Sequence, residues 1–377
     1  MLLPKLKRKW GFFMNKKKIL TANLEIGMVT AEAVYNFSNH LIISSNTTLT
    51  PDIIDKLKYY SVKSVKIFVP AESEETAPPV PEEDVKDLTY FEKIQISEEF
   101  RVFENEFNTC VNDFKGELND FVAKNSDGII EDMLGHVDQI FSKARNPLHL
   151  LDMMLCIRNY DDITYAHSMN VALICDIIGR WLKFSDDDLM VLVTAGLLHD
   201  IGKLKIPPEI IKKPGRLTNE EFAMIQKHPG YGFDILRTKN LDSRIANAAL
   251  QHHERYNGRG YPDKLTGAET DFFASIVAIA DVYDAMTSNR SYRKGICPFD
   301  VLEQMEREKD SYEPEVLHKF INNTAESYVN NEVMLSNGER GRVILLNKNF
   351  LSRPLVVAGN NTYDLSKIHG LYIENII

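Results

Sequence analysis

Asp281 lies inside the run Ile276-Val277-Ala278-Ile279-Ala280-Asp281-Val282, which otherwise reads as a helix of the protein interior. A lone carboxylate buried in such a helix is costly, so any fold that accepts this segment must bring positive charge to it. The chain has a supply: five of its ten histidines, His167, His199, His228, His252 and His253, fall between His167 and His253. His199-Asp200 ends the apolar run Val191–Leu198, His252 and His253 end the helical segment Asp242–Glu254, and His228 closes the helix that opens at Thr218. One histidine beside an apolar face is usually a satisfied core residue, and His199-Asp200 alone would be an even choice between a cap and a ligand pair. Their company favours metal ligation. Imidazoles and carboxylates without thiolates suit a catalytic first-row ion, Fe or Mn first, with Zn, Ni or Mg as alternatives, rather than a closed structural zinc site. More than four such ligands imply two ions, and an aspartate can bridge two cations about 3.5–4 Å apart, an arrangement that hydrolyses phosphate esters.

The rest of the chain frames that constellation. Lys plus Arg is 44 against Asp plus Glu 54, a net charge of −10, so long nucleic acid is not an expected partner and a phosphate ligand needs a local basic pocket. No apolar run approaches the length of a membrane span. Cys110, Cys156, Cys175 and Cys297 are widely separated, which fits a reducing cytoplasm better than a disulfide framework.

Residues 1–18 form a basic tail without the apolar core of a signal peptide, with Met14 as an alternative start. Residues 19–70 read as a small α+β module, in which Thr50 caps a helix that begins at Pro51. Residues 71–89, acidic and rich in proline, read as a linker. Residues 90–149 read as a helical connector and 150–332 as the main helical domain. Capping boxes are expected at Ser185-x-x-Asp188 and Thr218-x-x-Glu221. Strand patterns separated by Gly and Asn turns predict a β-rich appendage over 333–377.

The string His199-Asp200-Ile201-Gly202-Lys203, then His252-His253-Glu254, then Asn257-Gly258-Arg259-Gly260-Tyr261-Pro262 resembles the HD-GYP family of HD-superfamily phosphodiesterases. The likeness runs over roughly residues 150–330 and includes His228-Pro229, Ala280-Asp281-Val282-Tyr283-Asp284 and Arg290-Ser291-Tyr292-Arg293. It implies a mainly α protein whose all-helical domain hydrolyses the bacterial second messenger cyclic di-GMP. Carried over by position, the metal ligands are His167, His199, Asp200, His228, His252, His253 and Asp281. His167, His199, Asp200 and Asp281 would hold one ion, and bridging Asp200 with His228 and His252 the second.

The chemistry the resemblance implies is in-line attack of a metal-bridging hydroxide on one phosphorus, departure of the ribose 3′ oxygen, and release of linear pGpG, with GMP as a slower product. Lys203, one turn after Asp200, can neutralise charge developing on the phosphate, where spacing alone would also allow a cation serving a helix C-terminus. Arg290 and Arg293, three apart, would fork onto substrate phosphates; spacing alone leaves them a solvated basic face. Tyr261 either contacts ligand or packs on its own loop, and in this family that loop is implicated in contacts with GGDEF-type cyclase domains. Self-association of the chain stays open.

Family members thought to hold three metals carry Glu one turn before the first histidine, where this chain has Ile163, so two ions are expected. Residues 19–70 resemble an accessory module found ahead of such domains, marked by Ile26-Gly27-Met28 and a hairpin from Asn36 to Asn46. Other readings are a phosphodiesterase for a different cyclic dinucleotide, such as cyclic GMP–AMP, and a catalytically slow sensor acting through protein partners.

Overall fold

The computed structural model describes residues 14–21, 24, 27–35, 41–44, 47–59, 62, 64–70, 88–123, 128–157, 163–213, 215–287 and 297–377. The stretch 71–87, most of the hairpin 36–46, and Arg290 and Arg293 lie outside the described residues. The chain divides into two units, 1–81 and 82–377.

In the first unit β1 (Met14–Leu20) pairs antiparallel with β4 (Ser64–Pro70), Met14 opposite Pro70 and Leu20 opposite Ser64. Between them β2 (Val34–Tyr35) pairs with β3 (Leu41–Ile43), and α1 (Pro51–Tyr59) follows Thr50, whose hydroxyl accepts from Ile53 N–H. Leu24, Ile43, Leu49, Ile54, Leu57, Val65 and Ile67 form its core. β1 starts at Met14, so the last five residues of the basic stretch are strand rather than tail; lysine is no obstacle at the edge of a sheet.

The second unit opens with α2 (Tyr90–Gln95), fixed by a reciprocal capping box between Thr89 and Glu92. α3 (Glu98–Ala123) buries Phe100, Phe103, Phe107, Cys110, Phe114, Leu118 and Phe121 at spacings of three and four, the stripe that docks one helix face on a core. α4 (Ile129–Ser142) and α5 (Pro147–Cys156) follow, the latter capped by Asn146. Asp152 of α5 is buried and accepts hydrogen bonds from Tyr90 and Tyr328 hydroxyls at 2.6 and 2.8 Å, tying the first helix of the unit to the turn that follows its last.

The interior of the unit is α6 (Ile163–Trp181), α7 (Asp186–Leu198) and α12 (Phe272–Thr287), each buried over most of its length. After α7 come a 3-10 turn (Ile201–Lys205), α8 (Pro208–Ile211), α9 (Asn219–Ile225), α10 (His228–Leu236) and α11 (Ser243–Gln251). α13 (Pro298–Arg307) and α14 (Pro314–Glu326) lead into a five-stranded antiparallel sheet in the order β8-β7-β6-β5-β9. Its strands are β5 (Glu332–Leu335), β6 (Arg340–Asn347), β7 (Phe350–Ala358), β8 (Asn361–Asp364) and β9 (Ile373–Ile376). Val333, Leu335, Val343 and Val356 of this sheet join the same hydrophobic core as the helices. No helix among the described residues is long and apolar enough to cross a membrane.

Two local expectations need adjustment. The Thr218 box is complete, but at Ser185 only half forms: the hydroxyl accepts from Asp188 N–H, while the Asp188 carboxylate turns to the Ser185 hydroxyl and to Arg244. Aspartate is one methylene shorter than the glutamate that closes such a box. His228 does not close the Thr218 helix; that helix ends at Ile225, and His228 begins α10, where Pro229 suits the first turn.

Candidate metal centre

The seven sequence-predicted ligands come from six places in the chain and meet at one point. His167 lies one turn into α6, His199 caps the C-terminus of α7, Asp200 precedes the 3-10 turn, His228 begins α10, His252 and His253 follow α11, and Asp281 sits midway along α12. His167, His199 and Asp281 form one set whose ligand atoms lie within 4.8 Å of one another; His199, Asp200 and His252 form a second, and His228, His252 and His253 a third.

Asp200 joins these sets. Its Oδ2 is 3.4 Å from His199 Nε2 and 3.8 Å from His167 Nε2, while its Oδ1 is 3.2 Å from His228 Nε2 and 3.8 Å from His252 Nε2. One carboxylate therefore presents its two oxygens to two different groups of imidazoles. Asp281 Oδ1 lies 3.1 Å from His167 Nε2, and its Oδ2 lies 3.8 Å from His253 Nδ1.

The ring orientations show what the cluster can hold. His199 Nδ1 is 2.7 Å from the Gly196 carbonyl, His228 Nδ1 is 2.7 Å from that of Ile225, and His252 Nδ1 is within 3.1 Å of those of Ala248 and Ala249. A carbonyl only accepts, so each Nδ1 carries a proton, and it is Nε2 that each ring turns inward, with a lone pair free for a metal in the neutral form. His228 Nε2 and His252 Nε2 then face each other at 3.2 Å, and His199 Nε2 and Asp200 Oδ1 are buried with no hydrogen-bond partner among the described residues. Converging lone pairs and orphaned buried acceptors are repulsive unless a cation lies among them. The donor set fits divalent cations.

The charge states agree with that fit. Burial, followed by its histidine neighbours, holds His252 well below the ordinary histidine range, and burial brings His253 down to about 3. Burial would raise both aspartates, but Lys203 and His199 hold Asp200, and His167 holds Asp281, far below the usual carboxylate range. His167 is the exception: burial lowers it, and hydrogen bonds to Asp281 and Asp284 outweigh burial and bring it up to about 10. A proton there competes with a metal, and loading displaces it.

Lys203 reaches back from the 3-10 turn to pair with Asp200 Oδ2, and its side chain is a quarter exposed. The turn can lie this close to α10 because residue 202 is glycine; a Cβ there would be 1.9 Å from the His228 carbonyl oxygen. The loop after His253 is built on Glu254. Its buried carboxylate accepts from the backbone N–H groups of Asp263 and Lys264 at Oε1 and of Leu265 at Oε2. Gly260 passes so close beneath it that a Cβ would stand 2.4 Å from Glu254 Cα. Tyr261 N–H donates to the His253 carbonyl, and the Tyr261 ring stacks on the His253 imidazole with centroids 4.6 Å apart. Tyr261 thus packs against one of the seven ligand residues of its own motif.

Three participants escaped the sequence reading. Asp284 accepts from His167 Nδ1 at 2.7 Å and from Asn170 Nδ2 at 2.9 Å. Both spacings were visible, Asp281/Asp284 and His167/Asn170, each one helical turn. The role of Glu254 had no signal, because its partners are backbone groups.

A model of the HD domain matches residues 149–316. A cyclic di-GMP phosphodiesterase of Pseudomonas aeruginosa is 34% identical over 210 residues, covering 55% of this chain and 50% of that one. A cyclic di-GMP phosphodiesterase of Thermotoga maritima is 37% identical over 180 residues, with 46% and 48% covered. A 3'3'-cGAMP-specific phosphodiesterase of Vibrio cholerae is 35% identical over 161 residues, with 42% and 31% covered. The chain spans about half the length, or less, of these curated relatives. Residues 149–316 are an HD domain whose homologues include curated cyclic di-GMP phosphodiesterases, and the paired histidines and the Gly-Tyr-Pro segment on which the resemblance to the HD-GYP family rests lie within it.

Proposed function

We propose that the chain is a phosphodiesterase that opens cyclic di-GMP to linear pGpG, using two divalent cations, Fe or Mn by preference. The observation that carries this reading is the posture of Asp200, whose two oxygens address separate histidine groups as a bridging ligand must. His167, His199, Asp200 and Asp281 would hold one ion and Asp200, His228, His252 and His253 the other. Bound there, the ions supply an acidified water as nucleophile and positive charge beside the phosphate.

The chain's own residues do the rest. His199, His228 and His252, each fixed through Nδ1 by a backbone carbonyl, keep Nε2 turned into the site. Lys203, held beside Asp200 with its side chain a quarter exposed, would face the charge that grows on the phosphate. Glu254 holds the Gly-Tyr-Pro loop rigid beside His253. Arg290 and Arg293 are assigned to the substrate phosphates by their place in the motif. Arg290→Ala and Arg293→Ala are expected to raise KM more than they lower kcat in steady-state assays, since ground-state phosphate contacts serve binding and catalysis alike. A pure kcat defect would contradict that assignment.

The product follows from Ile163. It begins α6, is exposed, and stands one turn before His167, so no carboxylate is available there for a third ion. Opening the ring needs cations around one phosphate; cutting the linear product requires neutralising its new terminal phosphate as well. Chromatography over time should therefore show pGpG accumulating, with Ile163→Glu shifting product towards GMP. Conversion of pGpG to GMP as fast as cyclic di-GMP is consumed, or three ions per chain, would overturn this.

A second reading, hydrolysis of 3',3'-cyclic GMP–AMP, is favoured by the similarity to relatives specific for that compound. Parallel kcat/KM values for the two dinucleotides decide between them. Binding of either without turnover by metal-loaded protein would support the sensor reading instead.

A further inference from the structure

We propose that Asp284, acting through His167, makes the two cation positions unequal, so that the ion at the His167–Asp281 end binds first and tighter than the ion at the His228–His252–His253 end. The inference rests on reading the centre as a two-ion site, and it assigns Asp284 as a positioning residue.

His199, His228 and His252 each lean on a neutral backbone carbonyl through Nδ1. His167 alone leans on a carboxylate, Asp284 Oδ2, at 2.7 Å. A hydrogen bond to an ionised acceptor is shorter and stronger than one to a carbonyl, and an imidazole backed by a carboxylate is the stronger donor to a metal through its other nitrogen.

The arrangement is held tightly. Asp284 is 4% exposed and Asn170 is 2% exposed, so no bulk water can replace either partner. Asn170 Nδ2 occupies Asp284 Oδ1 at 2.9 Å, which leaves Oδ2 to His167. His167 and Asn170 are one turn apart on α6, and Asp281 and Asp284 one turn apart on α12, so the two helices are joined by three polar contacts, with His167 Nε2 aimed at Asp281 Oδ1.

The acid groups are distributed the same way. Asp281, Asp284 and Asp200 Oδ2 surround the His167 end, and Lys203 offsets one of these charges. The other end has three imidazoles, with Asp200 Oδ1 3.2 Å from His228 Nε2 and Asp281 Oδ2 at the longer 3.8 Å from His253 Nδ1. A divalent cation is held more strongly where more fixed negative charge faces it.

The test uses the full chain, stripped by a chelator and titrated with Mn2+ in a calorimeter. Wild type is expected to bind two Mn2+ in resolved steps. Asp284→Asn, which keeps an acceptor oxygen for His167 Nδ1 but removes the negative charge, is expected to weaken the tighter step by about 10- to 100-fold and leave the weaker step within about twofold. Asn170→Ala, which frees the Asp284 carboxylate to swing away, is expected to act in the same direction and carries the test if Asp284→Asn does not fold. An unchanged tight step, or equal weakening of both steps, overturns the proposal. Wild type binding fewer than two Mn2+ overturns the two-ion reading beneath it, and two indistinguishable wild-type steps overturn the inequality alone.

Discussion

Asp200→Ala is expected to abolish turnover and to empty at least one cation position. The carboxylate is buried, pairs with Lys203, and is the only group whose two oxygens face both His167–His199 and His228–His252. Methyl in its place removes the anion that lies between His167–His199 and His228–His252, so the second ion would lose Asp200 Oδ1, the carboxylate oxygen 3.2 Å from His228 Nε2. Metal content measured on the purified variant should fall with the rate, while circular dichroism of the helices is retained. Near-normal metal content and rate would show that the site has been misread.

Lys203→Ala is expected to lower kcat by roughly a hundredfold or more, the scale of one electrostatic stabiliser, with two ions still bound. The ammonium is paired with Asp200 and a quarter exposed, which places it beside the carboxylate without making it one of the ligands. The discriminating result is therefore the pair of measurements: metal content unchanged and kcat reduced. A variant that loses metal in proportion to activity would make Lys203 a support for Asp200, and an unchanged kcat would leave it a helix-end cation.

The residues brought together at the centre were legible because each contradicts its surroundings. Asp281 in an apolar helix, His199-Asp200 at the end of one, and two adjacent histidines at a helix terminus are expensive placements that only mutual satisfaction explains. Helix starts were legible where the cap chemistry is local, as at Thr50 and Thr218. Less was visible where a partner is distant in sequence. Asp188 turned to Arg244, 56 residues away, instead of closing its own box, and β1 took Met14–Lys18 because β4 supplies the ladder. Asp284 looked like one more motif residue until α6 was laid beside α12. Glu254 is the extreme case: its three partners are backbone N–H groups of residues whose side chains are irrelevant to the contact.

The central claim is that a two-cation centre bridged by Asp200 hydrolyses a cyclic dinucleotide. Its most direct test is one preparation, purified without added metal, divided between elemental analysis and chromatography of its reaction with cyclic di-GMP before and after chelation. The account predicts two first-row metal ions per chain, conversion of cyclic di-GMP to pGpG, loss of both on chelation, and recovery of both when Mn2+ or Fe2+ is returned. Hydrolysis that persists in metal-free protein, or protein that carries two ions and leaves both cyclic di-GMP and 3',3'-cyclic GMP–AMP intact, would contradict it.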